Sequence, residues 1–195
     1  MRKLSIPFIL LTILIGTAWS NTKVVTTWKD PNIPKPTFNK IAIAFPHKDP
    51  SLRQRVEDGI VRRMSRPGVA THTFVSDTDL TNRETLKARL ASNGVDGLVL
   101  LRLLNVDEDK IVALGDTRSV YPSLWDACAD PLNITTASYS YTSRIVTADL
   151  TIYSVATAKP VWIGRIKSTD PKHLKGLLDE LVKASASELK KQKLI

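Results

Sequence analysis

Short apolar runs alternate with amphipathic stretches over the first half of the chain. Residues 40–45 and 97–104 are nearly continuous apolar runs, which is typical of strands buried on both faces. Residues 69–75 predict a further strand, and amphipathic helices are predicted over 50–65 and 82–93. Two successive strand–helix–strand units imply parallel pairing with right-handed crossovers.

The second half of the chain predicts a different arrangement. Residues 138–154 and 159–168 alternate or are rich in β-forming residues, and Ala156-Thr157-Ala158 between them suits a hairpin turn. Residues 171–192 carry a stripe of leucines at helical spacing. The predicted fold class is therefore α/β, or α+β. A mixed sheet is expected in the order β-α-β-α-β, followed by a β-hairpin and a C-terminal helix, and three helices should cover it.

The first 20 residues have the pattern of a secretory signal peptide. A short positive segment precedes a mostly apolar stretch over residues 6–15, and small residues stand at the −3 and −1 positions of a cleavage site after Ser20. The apolar stretch over residues 4–19 is shorter than the roughly 20 residues that a spanning helix needs. We expect cleavage and a periplasmic protein without lipid, since no cysteine lies near the cleavage site. An uncleaved membrane anchor is the alternative.

The remaining chain is expected to form one domain. Residues 21–39 are rich in proline and polar residues and predict an extended lead-in, with residues 24–28 as a candidate edge strand. Residues 40–195 form the predicted α/β domain. Within it, residues 113–137 show no helical or strand period and predict a long loop.

The charge balance is basic. The chain has 28 Lys and Arg residues against 19 Asp and Glu residues, a formal charge of +9 that falls to +7 when Arg2 and Lys3 are removed with the signal peptide. A basic surface favours anionic partners. Because an exported protein seldom meets nucleic acid, phospholipid head groups or acidic polysaccharide are the better candidates. The alternative is that the charge only keeps the protein soluble.

No motif for catalysis, cofactors or metals is found. The turn after the first buried strand, residues 46–50, lacks glycine and contains two prolines, which excludes a dinucleotide or P-loop phosphate site there. The three histidines, His47, His72 and His173, lie in different segments without metal-ligand spacing. No serine stands in a nucleophile elbow. We expect no cofactor, no metal site and no catalytic residue.

Cys128 is the one cysteine of the chain and so excludes an intramolecular disulfide. The flanking Asp126 and Asp130 would raise the pKa of its thiol, which argues against a nucleophile. Two interpretations of Cys128 remain open: an inert small residue, or a cysteine that cross-links two chains.

The 113–137 loop is the best candidate for a binding site, because unusually long loops are often functional. It contains Tyr121 and Trp125, and the next strand opens with Tyr139 and Tyr141. Flat rings with polar edges suit a sugar ring or a protein partner. The alternative is that these rings hold the loop onto the sheet.

Several segments carry a resemblance to a known group of proteins. The first is Val24-Val25-Thr26-Thr27-Trp28-Lys29-Asp30-Pro31. The others are Arg55-Val56-Glu57-Asp58, Gly94-Val95-Asp96-Gly97, Ala148-Asp149-Leu150-Thr151-Ile152-Tyr153 and Pro160-Val161-Trp162. Over most of residues 24–195 the chain resembles a lipoprotein-like family of bacterial cell-envelope proteins of unknown function. Its α/β arrangement is also similar to envelope domains of the TolB N-terminal and curli-secretion kind, by topology alone.

The sequence therefore predicts an exported, non-enzymatic envelope protein that binds another envelope component. A module that holds a small ligand or a glycan with the 113–137 loop and its neighbouring aromatic residues is the alternative. A hydrolase whose residues converge only in the folded chain is a third hypothesis.

Overall fold

A computed structural model describes residues 22–33, 37–104, 123–129, 145–169 and 173–193. The predicted signal peptide and most of the predicted 113–137 loop lie outside these ranges. The described strands are β1 (Thr22–Lys29), β2 (Ile41–Ala44), β3 (Gly68–Ala70), β4 (Gly97–Leu104), β5 (Ile145–Ser154) and β6 (Pro160–Thr169). The described helices are α1 (Pro50–Val61), α2 (Asp77–Thr81), α3 (Arg83–Ser92), α4 (Leu124–Ala129) and α5 (Leu174–Lys191).

The six strands form one mixed sheet in the order β1-β6-β5-β4-β2-β3. β2 pairs in parallel with β3 on one side and with β4 on the other. β5 and β6 form the predicted hairpin, which extends the sheet antiparallel to β4. β1 lies at the edge, antiparallel to β6, so the first part of the predicted lead-in belongs to the sheet. The predicted mixed α/β class is confirmed.

The helices cover both faces of the sheet. One face packs against α1 and α5. The buried apolar residues that α5 contributes to the core on this face are Leu177, Leu178, Leu181, Val182, Ala186 and Leu189. The other face packs against α2, α3 and α4 over a second cluster that includes Ala42, Ala44, Leu98, Leu100 and Tyr153. Alternate residues of β2 and β4 enter opposite clusters, which explains why these strands are apolar throughout. None of the helices in the described ranges is both long and apolar enough to cross a membrane.

The strand predicted over 69–75 is shorter than expected, and a buried carboxylate is the reason. β3 ends at Ala70 and a 3-10 turn follows over Thr71–Thr73. The Oε2 atom of Glu57 accepts from the backbone N–H of His72 at 2.7 Å, and its Oε1 atom accepts from Thr71 Oγ1 at 2.8 Å. These bonds tie the chain to α1 instead of to a neighbouring strand.

The same carboxylate belongs to a buried polar frame. Glu57 Oε1 also accepts from the N–H of Phe45 at 2.9 Å and from Arg53 Nε at 3.0 Å. Arg53 Nη2 donates to the Val75 carbonyl at 2.9 Å, and its Nη1 atom bonds Asp77. Because its donors and acceptors satisfy one another, the frame holds α1, the end of β2 and the turn before α2 together.

A short helix replaces part of the predicted loop. α4 occupies 124–129, within the segment that we predicted as loop over 113–137. Ser123 caps the helix, because its Oγ atom accepts from the backbone N–H of Asp126 at 3.4 Å and donates to Asp126 Oδ2 at 2.6 Å. Leu124, Ala127 and Cys128 are buried at helical spacing. Six residues are too few for a helical period to be visible in the sequence.

Candidate functional site

α1 and α5 pack closely and run in the same direction. A Cβ atom placed on Gly59 would lie 3.0 Å from Val182 Cγ1, so the glycine lets the two helices approach. One turn earlier in α1, Arg55 Nη2 bonds the carboxylate of Asp179 at 2.8 and 2.9 Å. Since the contacts advance along both helices together, both helices end on the same side of the molecule.

Six cations lie at the C-terminal ends of these two helices, on the same side of the molecule, and we call this group the basic end. All six are exposed: Arg62, Arg63, Arg66, Lys190, Lys191 and Lys193. Arg63 Nη1 donates to the Gly59 carbonyl at 2.8 Å, and Lys191 lies 3.7 Å from Glu188 Oε2. The other four cations form no ion pair with the part of the chain that the structure describes. They are available to a partner.

Acidic residues lie toward the beginnings of the helices. Asp49 caps α1, Asp77 and Asp79 lie in the first turn of α2, and Glu84 lies in the first turn of α3. The helix dipole favours this arrangement, and it also favours the lysines in the last turn of α5. It does not account for Arg66, which follows the end of α1 and caps nothing among the described residues.

The structure places only one of the four predicted binding aromatics. Trp125 lies in α4 with 6% of its surface exposed, in the core cluster beneath α2 and α3. Its buried ring offers no stacking face at the surface, which favours the alternative that it holds this segment onto the sheet. Tyr121, Tyr139 and Tyr141 lie outside the described residues.

Cys128 is fully buried beside Trp125. Burial raises the pKa of its thiol to about 12, and the positive charge of Arg102 opposes that rise. The predicted direction of the pKa shift is found, but its main cause is desolvation and not the neighbouring aspartates. A thiol in this position is protonated at neutral pH and cannot reach a second chain without local opening, which favours the inert alternative.

The three histidines have separate local roles. His47 stacks on Phe45 with ring centroids 5.5 Å apart, and His72 Nε2 lies 2.8 Å from Asp58 Oδ1. His173 caps α5 by accepting from the N–H of Gly176 at 2.9 Å. Within the described ranges, no group of three or more potential ligands could hold a metal ion.

The sequence contained part of the signal for the basic end. Arg62, Arg63 and Arg66 were visible beside a helix end, and the C-terminal lysines were visible as partners of a helix dipole. Their location on one side of the molecule depends on the parallel packing of α1 and α5. These helices are more than a hundred residues apart in the chain, and no local pattern encodes their relative direction.

Comparisons with known proteins give only distant likenesses. No protein-family model matches the chain, and no curated protein matches it. It is similar to the PelC dodecamer from Paraburkholderia phytofirmans crystallised in space group P6, at 10% identity and a TM-score of 0.46 over 89% of this chain and 99% of that chain. A point variant of the same dodecamer in space group C2 has 8% identity and a TM-score of 0.45, over 86% and 96% of the two chains. Likenesses at this level indicate nothing about activity or assembly.

Proposed function

We propose that this chain is an exported, non-enzymatic protein of the bacterial envelope whose basic end binds an anionic phospholipid surface. The signal-peptide pattern over residues 1–20 supports a periplasmic location without lipid attachment. The resemblance to envelope proteins supports the same compartment. The observation that carries the binding proposal is that six exposed cations lie at the ends of α1 and α5, on one side of the molecule.

The chemistry of the basic end favours a lipid surface over a protein partner. Protein interfaces have an apolar or aromatic centre, and among the described residues no exposed large apolar side chain lies at the ends of α1 and α5. Within the described ranges, the exposed large apolar side chain is Val25, which lies on the edge strand β1. Cations on exposed helix ends suit a flat array of negative charges better than a polysaccharide chain that must be enclosed.

The expected affinity is moderate and depends on salt. Each Lys or Arg near an anionic membrane contributes about 1 kcal/mol. Six such residues therefore supply on the order of 6 kcal/mol, which corresponds to a dissociation constant between about 1 mM and about 1 μM. Raising the ionic strength from about 0.01 M to about 1 M shortens the Debye length from about 30 Å to about 3 Å and should release the protein.

Vesicle flotation of the chain from Asn21 onward tests the proposal. Vesicles that contain phosphatidylglycerol should retain the protein at low salt, and vesicles of phosphatidylcholine alone should not. Replacing the four unpaired cations of the basic end with glutamine (Arg62, Arg66, Lys190 and Lys193) removes about 4 kcal/mol and should weaken retention on the order of 1,000-fold.

A matched variant separates a local site from overall charge. Four exposed lysines elsewhere (Lys23, Lys48, Lys87 and Lys175) changed to glutamine remove the same charge. Vesicles that contain phosphatidylglycerol should retain this variant much more strongly than the variant of the basic end. Equal loss in both variants would contradict the proposal, and so would binding to a soluble acidic polysaccharide without any binding to anionic vesicles.

A further inference from the structure

Three buried polar atoms on one face of the sheet have no hydrogen-bond partner among the described residues. They are Arg102 Nε on β4 and, on β5, Thr151 Oγ1 and Tyr153 Oη. Five such side-chain atoms occur in the described part of the chain, so more than half of them lie in this patch. Buried polar groups are nearly always hydrogen-bonded, and a cluster of exceptions calls for an explanation.

The strand register places the three side chains on one face of the sheet, with Tyr153 opposite Leu98 and so four positions along β4 from Arg102. Arg102 lies opposite Asp149 in the antiparallel ladder, and Thr151 and Tyr153 follow Asp149 at alternate positions of β5. Opposite residues and alternate residues share one face of a sheet. The patch therefore faces the same side as α4.

Arg102 supplies the free positive charge of the patch. Arg165, on the neighbouring strand β6, already neutralises Asp149 through Nε at 2.8 Å and Nη2 at 3.0 Å. Arg102 is only half-buried, and no ion pair joins it to another described residue. Arg102, Asp149 and Arg165 together carry a net formal charge of +1.

The groups near Arg102 are the Asp149 carboxylate, which Arg165 neutralises, and the neutral Tyr153 and Cys128. Tyr153 is fully buried, and burial raises the pKa of its hydroxyl while the charge of Arg102 opposes the rise. Burial also raises the pKa of the Cys128 thiol, and the charge of Arg102 opposes that rise as well. Tyr153 and Thr151 therefore present protonated hydroxyls at neutral pH, and hydroxyls can donate to an acceptor that enters from the exposed side of Arg102.

We propose that Arg102, Thr151 and Tyr153 form a binding site for one oxyanion group of the phosphate type. The guanidinium offers planar forked donors that match oxyanion geometry. The two hydroxyls add uncharged donors, and Asp149 is held away from the anion by its bidentate bond to Arg165. The site uses strands β4 and β5, so it is independent of the basic end on α1 and α5.

Thermal unfolding with inorganic phosphate as the probe tests the site. Sodium phosphate should raise the melting temperature of the unmodified chain by about 2–4 °C above sodium chloride at equal ionic strength. Arg102→Met should abolish this shift, and Tyr153→Phe should weaken phosphate binding several-fold. Lys167→Met removes a cation from β6 on the same face and should leave the shift unchanged. The quadruple glutamine variant of the basic end should keep it too.

Stability without phosphate distinguishes a binding role from a structural one. Arg102→Met should not lower the melting temperature in chloride, because the lost guanidinium donor had no partner. Arg165→Met should lower it, because Asp149 then loses its bidentate partner. The proposal is overturned if phosphate and chloride give equal melting temperatures, if Arg102→Met keeps the phosphate shift, or if both arginine variants are equally destabilised. If Arg102→Met does not fold, Tyr153→Phe, which removes one oxygen atom, replaces it in the same comparison of phosphate with chloride. An undiminished phosphate shift in Tyr153→Phe then overturns the proposal.

Discussion

The indole ring of Trp162 occupies the space that a side chain at Gly164 would need. A Cβ atom placed on Gly164 would lie 2.2 Å from Trp162 Cη2. The two residues are neighbours on one face of β6, and Trp162 has 2% of its surface exposed. The tryptophan is thus a core residue whose ring lies along its own strand, and the glycine is required by packing.

Gly164→Ala should therefore destabilise the protein by about 1–3 kcal/mol, because the added methyl group displaces a large buried ring. Urea unfolding at an unchanged m-value measures the loss. Lys167→Ala on the same strand is the control and should stay within about 0.5 kcal/mol. A neutral effect of Gly164→Ala would show that the ring can move at little cost.

The stripe of leucines on α5 should carry much of the stability. Leu178 and Leu181 are buried against the sheet, so changing either to alanine should cost about 2–5 kcal/mol. Total stability is usually about 5–15 kcal/mol, which makes either loss large. Denaturant unfolding measures it, with the exposed Lys183→Ala as a control on the same helix. A loss below about 1 kcal/mol would contradict the packing of α5.

Trp125→Ala distinguishes packing from recognition at α4. The ring is buried, with the Arg83 guanidinium 6.0 Å from its centroid, so its removal should cost about 3–5 kcal/mol. Arg83→Ala should cost far less, because Arg83 lies at the surface. A thermal melt checks both. If Trp125→Ala left the melting temperature unchanged, the ring would be a surface contact, as the loop hypothesis first assumed.

Cys128 should make stability fall at alkaline pH. The thiol of an unfolded chain loses its proton near pH 9.0, whereas the folded chain holds it to about pH 12. Ionisation then favours the unfolded chain, so the contribution is complete below pH 9 and is lost as the pH rises toward 12. At pH 10.5 the loss should be about 2 kcal/mol.

Urea unfolding of the unmodified chain and of Cys128→Ala at pH 8 and pH 10.5 measures this difference. The alanine variant should lose less stability between the two pH values, and the comparison cancels other groups that ionise in this range. An identical pH dependence would mean that the thiol is already accessible in the folded protein.

Processing of the N-terminus should follow the signal-peptide pattern. We expect the mature chain to begin near Asn21 and to be released by osmotic shock without detergent. N-terminal sequencing of the released protein checks this. Recovery only in detergent, with Met1 still present, would contradict export by cleavage and support the anchor alternative.

The order and pairing of the main elements could be predicted because their causes are local. The apolar runs over 40–45 and 97–104 are long enough to identify buried strands, and the leucine spacing over 171–192 identifies one face of a helix. α4 could not be predicted, since its six residues show no period. The early end of β3 could not be predicted either, because it depends on Glu57 of another element.

The sequence by itself determined the class of fold, the parallel and antiparallel pairing, the basic charge and the lack of any local catalytic motif. Only the tertiary structure decided which charges lie on the same side of the molecule or on the same face of the sheet. The basic end exists because α1 and α5 run in the same direction across one face of the sheet. The patch around Arg102 exists because strand register places Arg102 on the same face of the sheet as Thr151 and Tyr153. Periodicity and composition depend on neighbours in the chain, whereas both sites depend on contacts between residues that are distant in sequence.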